Sequence, residues 1–356
     1  MMTDSGSQSK HTLTEILSQP EIWPVALREL GESAAFQSAA RQTASRKEWL
    51  FVGCGTSFYL AEAAAASWML ITGQRARALP GSEVLLFPQL GQLAVADLQA
   101  VVISRSGKTS EAIRAAESLI RKHKVPTIGV TCTAGSELTK ICETTLVLSA
   151  ADEKSMVMTR SFTAMLLALI RLAVAQTGAT EVSGFDSVAD ALSSQVRAWN
   201  EQMEKFVAQH SFADYIYLAQ GPFFAIAREA ALKVTEMSCS YAQAYHTLEF
   251  RHGPKSIVAP QTCLTFFLSE TAMQAESEVL VEMKALGGTI VAVCNSATDA
   301  VRRSSDMVFE FEADVPEFAL LAPFIVPAQL LGFHTGVKKG FNPDEPKNLS
   351  RVVILD

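Results

Sequence analysis

Residues 50–68, LFVGCGTSFYLAEAAAASW, and residues 216–234, IYLAQGPFFAIAREAALKV, read as one pattern written twice. With Gly55 set on Gly221, Leu50, Phe51 and Val52 fall on Ile216, Tyr217 and Leu218, while Ala61, Ala64 and Ala65 fall on Ala227, Ala230 and Ala231. Each copy is a short apolar strand, a glycine turn and an alanine-rich helix, so the chain is an internal duplication. The chemistry of the copies has diverged. The turn Gly53-Cys54-Gly55-Thr56-Ser57 offers backbone N–H groups and hydroxyls to an anion at a helix N-terminus. The second helix instead carries Glu229, Lys233 and Glu236. One half is suited to hold a phosphate, the other to move protons.

Outward from these copies, short β-rich runs alternate with helical stretches. Leu50–Gly53, Ala100–Ser104, Thr127–Thr131 and Thr145–Leu148 read as strands of the first half, and Ile216–Ala219, Thr265–Ser269, Thr289–Cys294 and Met307–Phe311 as strands of the second. Such alternation specifies a parallel sheet wrapped by helices, with ligands at the carboxyl ends of strands. A chain of 356 residues exceeds one core, and the expected organisation is a helical lead-in over 1–47, a first domain over 48–180, a linker helix over 181–206, a second domain over 207–340 and a tail over 341–356.

Ser104-Arg105-Ser106-Gly107-Lys108-Thr109 follows a strand and precedes a helix. Its hydroxyls, its glycine and the free N–H groups of a helix start are what a phosphate monoester needs, and Arg105 and Lys108 add attraction. An N-capped helix after a polar turn would look similar in isolation. The pairing with Cys54, Gly55, Thr56 and Ser57 favours the ligand, because both turns leave strands of one sheet and can converge. The spacing fits neither G-x-x-x-x-G-K-[ST] nor G-x-G-x-x-G, which makes nucleotide the weaker ligand.

Glu229, Lys233 and Glu236 stand at i, i+4 and i+7 and share one helix face. An exposed Glu/Lys pair is the ordinary explanation of such spacing, but Ala230, Ala231, Leu232 and Val234 mark a buried helix, where charges need a reason. A carboxylate there can shuttle a proton between adjacent carbons, with an ammonium stabilising the enediolate. His246 and His252 follow, and Arg251-His252-Gly253-Pro254-Lys255 places a titratable imidazole among turn residues.

Hydrophobic residues at 49%, charged residues at 19% and a net charge of −7 describe a well-buried chain and argue against a general nucleic-acid or anionic-membrane binder. The polar start Met1-Met2-Thr3-Asp4-Ser5 lacks the pattern of a signal peptide, and the apolar stretch Ala164–Ala175 is short and broken by Arg171, so a cytoplasmic location is expected. Cys54, Cys132, Cys142, Cys239, Cys263 and Cys294 are scattered without ligand spacing, which favours reduced thiols over disulfides or zinc; no metal or cofactor is expected.

Together, Cys54-Gly55-Thr56-Ser57, Ser104 to Thr109, Met158-Thr159-Arg160-Ser161-Phe162, Glu229 to Glu236 and Phe250 to Ser256 give a chain that resembles proteins with two sugar isomerase (SIS) domains, from about Leu50 to the C-terminus. It is similar to the isomerase half of the glutamine:fructose-6-phosphate amidotransferases, and to the tagatose-6-phosphate ketose/aldose isomerase and amino-sugar-phosphate deaminase group. The resemblance implies two tandem flavodoxin-like three-layer domains acting on a hexose or hexosamine 6-phosphate. Thr56, Ser57, Ser104, Ser106 and Thr109 then match phosphate- and sugar-contacting positions. Glu236 matches the carboxylate that moves the proton between C1 and C2, flanked by Glu229 and Lys233. His252 matches the histidine that assists ring opening and, in this family, reaches the site of a neighbouring subunit, which implies a homodimer with shared sites.

Two departures qualify the transfer. The first strand begins within about 50 residues of Met1, so no glutamine-hydrolysing domain is expected ahead of it. Where the amidotransferases carry a Schiff-base lysine in the tail, this chain has Arg351, which stays protonated and cannot be that nucleophile. The expected activity is aldose-ketose isomerisation, deaminating where the C2 substituent is an amine. A fructosamine-6-phosphate deglycase is the enzymatic alternative, and a sugar-phosphate sensor without turnover the alternative of another class.

Overall fold

The computed structural model describes residues 9–179 and 184–355. Residues 1–8 of the lead-in, residues 180–183 at the expected boundary between first domain and linker helix, and Asp356 lie outside the described residues. The chain forms two compact units. The first comprises Glu21–Glu153, Arg160–Ser183 and Ser350–Asp356; the second comprises Met1–Pro20, Lys154–Thr159 and Gly184–Leu349.

Three helices come first, α1 (Lys10–Leu17), α2 (Gln19–Glu32) and α3 (Ala34–Thr43). The first unit then runs β1 (Glu48–Gly53), α4 (Thr56–Thr72), β2 (Arg75–Pro80), α5 (Gly81–Leu86), β3 (Leu98–Ile103), α6 (Ser110–Glu117), β4 (Thr127–Thr131), α7 (Glu137–Ile141), β5 (Thr144–Val147) and α8 (Arg160–Gln176). Its strands form one parallel sheet in the order β2-β1-β3-β4-β5. The second unit runs α9 (Phe185–Gln209), β6 (Asp214–Ala219), α10 (Phe223–Ser238), β7 (Tyr241–His246), β8 (Thr262–Phe267), α11 (Met273–Ala285), β9 (Thr289–Cys294), α12 (Asp299–Ser304), β10 (Met307–Glu310) and α13 (Val326–Lys338). Its parallel sheet has the order β10-β9-β8-β6-β7, the same topology read from the other edge.

The duplication is thus structural. Gly55 and Gly221 occupy equivalent turns with φ of 57° and 55°, a left-handed conformation that glycine adopts at no steric cost. Each sheet has a fifth strand beyond the four expected, β2 and β7. Both are half-exposed edge strands of sequence RARALP and YAQAYH, without the apolar run that marks a buried strand. His246 is the last residue of β7. Strand β8 starts at Thr262, earlier than expected, and stops before Ser269, whose amide turns to the carboxylate of Glu276.

In the first unit the buried strand β1 backs onto α4, and Trp49 and Trp68 pack with ring centroids 3.9 Å apart and planes tilted by 42°, both indole N–H groups reaching Gln74 Oε1. In the second unit the faces of the sheet separate two layers. Ile216, Leu218, Leu264 and Phe266 point toward Val279, Leu280 and Met283 of α11, and Phe250 joins that cluster. The alternate residue Tyr215 points to the opposite face, where its hydroxyl lies 3.4 Å from Thr335 Oγ1 of α13. Helix α10 packs on α13 so closely that a Cβ on Gly332 would stand 3.3 Å from Val234 Cα. Trp199 of α9 sits edge-on against Phe309 and Phe311. The run Glu317–Lys338 is apolar and long enough to cross a membrane, but 94% of its most apolar window is buried in the protein.

Candidate active site

The anion turns of the first unit stand at the carboxyl ends of the hydrogen-bonded neighbours β1 and β3. Thr56 and Ser57 open α4 and are buried at its N-terminus, with Ser57 N–H donating to Cys54 O at 3.1 Å. Cys54 is half-buried; burial, then the charge of Glu111, pushes its thiol up to about 11, so it is a neutral thiol at physiological pH. In the second turn Ser104 is buried and its hydroxyl lies 3.4 Å from Thr109 Oγ1. Ser106 Oγ accepts from Lys108 N–H at 3.2 Å. Gly107 has φ of 60°, and Ser136 Oγ fills the space a Cβ would need, so two independent constraints demand glycine here. Ser136, the buried residue preceding α7, borders the turn and was not among the expected site residues.

Of the cations in this turn, Lys108 is exposed and Arg105 is 5% exposed. The Arg105 guanidinium faces Glu153, Nη1 to Oε2 3.5 Å, and Ser161 Oγ donates to the same carboxylate. Arg351 lies on the surface. Its guanidinium donates to Asp152 Oδ1 at 3.1 Å and to Glu153 O, and its own carbonyl accepts from Arg105 Nη2 at 3.3 Å. The tail continues along the start of α6: Val353 O accepts from Ser110 N–H at 3.1 Å, and Leu355 N–H donates to Ser110 Oγ at 2.9 Å. One N–H of that helix N-terminus is therefore taken by the chain itself.

In the second unit, Glu229, Lys233 and Glu236 of α10 form a cluster. Lys233 is fully buried with its ammonium 3.3 Å from Glu229 Oε1 and bonded to Glu236 Oε2. Burial pulls the lysine pKa down, but the two carboxylates more than offset this, and the net shift is upward, so Lys233 is a fixed cation. Glu229 is fully buried, whereas Glu236 has a side chain 17% exposed. Glu236 is the member of the cluster that a ligand can reach.

His252 is exposed, and its neighbours Arg251 and Lys255 both pair with Glu282 of α11, at 2.8 and 2.6 Å. It thus lies on the α11 side of the sheet, whereas Glu236 is carried by α10. His246 stacks on Phe224 at the start of α10, centroids 3.8 Å apart. At the carboxyl edge of this sheet, Glu276 accepts from Thr247 Oγ1, Ser269 N–H and Ser269 Oγ at 2.9, 2.9 and 3.0 Å, which leaves an internal carboxylate among donors near the end of β8.

Two parallel α/β units of equal topology, one with a pair of donor-rich turns and the other with a buried carboxylate-lysine-carboxylate row, define a duplicated sugar-isomerase architecture. The SIS domain profile matches residues 43–175 and 214–334, and the chain belongs to that family. It is 26% identical over 371 residues to the glutamine–fructose-6-phosphate aminotransferase (isomerizing) of Pyrobaculum aerophilum, an alignment covering 100% of this chain and 59% of that relative. Among solved structures it is similar to glucosamine-6-phosphate deaminase of Thermotoga maritima, with TM-score 0.76 and 29% identity over 97% of this chain and 99% of that one. The tagatose-6-phosphate ketose/aldose isomerase of Escherichia coli shares the fold, with TM-score 0.82 at 23% identity over 95% of each chain.

Proposed function

We propose that this protein is a phosphosugar isomerase that acts on a hexose or hexosamine 6-phosphate. The observation that carries the reading is the α10 cluster: a fixed lysine cation between a buried carboxylate and a reachable one, Glu236. Thr56, Ser57, Ser104, Ser106 and Thr109 hold the phosphate of the sugar through hydroxyls and helix N-termini. Once the ring is open, Glu236 takes the C2 proton of the aldose, the electron pair moves to the carbonyl oxygen as an enediolate, and the proton returns to C1 to give the ketose. Lys233 offsets the negative charge that develops beside Glu236.

The position of His252 supports a site completed by a second copy. The loop that carries His252 packs on the α11 side of the sheet and α10 on the other, which favours an isologous dimer whose partner supplies the imidazole for ring opening. The similarity to a glucosamine-6-phosphate deaminase favours a deaminating form of the same chemistry. Proton transfer from C2 to C1 of a 2-amino-aldose gives a C2 iminium; water adds to it, and ammonia leaves to yield the ketose phosphate.

The test is incubation with glucose, glucosamine and fructosamine 6-phosphates in deuterated water. Deuterium at C1 or C2 of product, with or without ammonia, supports the isomerase or deaminase form. Tight binding without exchange or turnover of any of them would overturn the enzymatic reading in favour of a sensor.

A further inference from the structure

We propose that Arg105 is a positioning residue of the anion turn, not a ligand of the anion, and that it acts through Glu153. The inference rests on the reading that Ser104 to Thr109 holds a phosphate. Arg105 stands in the middle of that turn, but its side chain leaves the turn and is buried against a carboxylate whose side chain is 0% exposed. Ser161 donates to Glu153, and the second terminal nitrogen of Arg105 is spent on Arg351 O. The backbone at the same residue is fixed as well: Arg105 O accepts from Cys132 N–H and from Thr131 Oγ1, each at 2.9 Å.

A guanidinium neutralised in this way adds little long-range attraction for a ligand, because its field is cancelled locally by Glu153. What it supplies is rigidity. With side chain and carbonyl both anchored, the residues on either side, Ser104 and Ser106, are presented with fixed direction, so the hydroxyls meet a phosphate without reorganisation. Glu153, although distant in sequence, is part of the same device.

The experiment compares Arg105→Met, Glu153→Gln and the double variant by calorimetric titration with inorganic phosphate and a hexose 6-phosphate, and by steady-state kinetics. If Arg105 positions the turn, each single variant weakens phosphate binding and raises KM about tenfold with kcat changed less than about twofold, and the double variant is no worse than either single one. If Arg105 is instead a phosphate ligand, Glu153→Gln frees the guanidinium and leaves binding unchanged or tighter while Arg105→Met weakens it; that outcome overturns the proposal. Ser161→Ala, which removes only the hydroxyl donor to Glu153, gives the same contrast should the ion-pair variants fail to fold. Ser106→Ala separates the two levels: wild-type phosphate affinity in that variant would mean that the turn is not the phosphate site at all.

Discussion

Glu236 and His252 lie on opposite faces of one sheet. Glu236 belongs to α10, which packs on α13 on the Tyr215 face, while the residues flanking His252 are tied to Glu282 of α11 on the other. The proposed function draws the two groups on one sugar from two chains.

Mixing inactive variants checks this. Glu236→Gln and His252→Asn, unfolded and refolded together, should regain about a quarter of wild-type activity, since half the dimers are mixed and half of their sites collect neither lesion. No recovery after exchange is verified by native mass measurement would place both groups in separate functions.

Glu236→Gln keeps shape and hydrogen-bonding capacity but removes the base. Turnover should fall by about 10²- to 10⁴-fold while substrate affinity, measured by titration, changes little. Near-normal turnover would assign the base elsewhere.

Ser106→Ala removes one hydroxyl from the anion turn. Loss of a hydrogen bond to a charged group should weaken 6-phosphate binding by about 1.5 to 3 kcal/mol, with an unchanged melting temperature.

Lys233→Met removes the buried ammonium that stands 3.3 Å from Glu229 Oε1. Breaking such a buried pair should destabilise the second unit by about 3 to 5 kcal/mol, read from the denaturant midpoint, unless the carboxylate takes up a proton. A variant as stable as wild type would show that water reaches the cluster.

Glu276 gives a pH signature. Burial raises its carboxyl pKa against the opposing hydrogen bonds from Ser269 and Thr247, and the net direction is up from 4.5. The folded state then retains a proton that the unfolded chain has released, so its contribution to stability is full below 4.5 and is lost as pH rises through the folded value. Subtracting the stability curve of Glu276→Gln from that of wild type should give a difference that declines with rising pH above about 4.5; a flat difference would contradict the shift.

The duplicated strand-turn-helix was legible because buried parallel strands are continuous apolar runs and glycine punctuates them, as at Gly55 and Gly221. The edge strands β2 and β7, RARALP and YAQAYH, carry no such run and were not. The charged row on α10 was visible from its helical spacing. The partners of Arg105 were not, because Glu153 lies in an irregular Ala-Asp-Glu-Lys segment whose burial is decided by tertiary contacts alone. Ser136 offered one weak signal, a serine after glycine at the start of a short helix.

The placement of the tryptophans gives each unit its own optical label. Trp23, Trp49 and Trp68 belong to the first unit, the last two packed against each other, and Trp199 belongs to the second. A variant keeping only Trp199 would report on the second unit alone, and one keeping only Trp49 and Trp68 on the first. Their emission in parallel denaturant titrations would separate melting of the phosphate-holding half from melting of the proton-moving half.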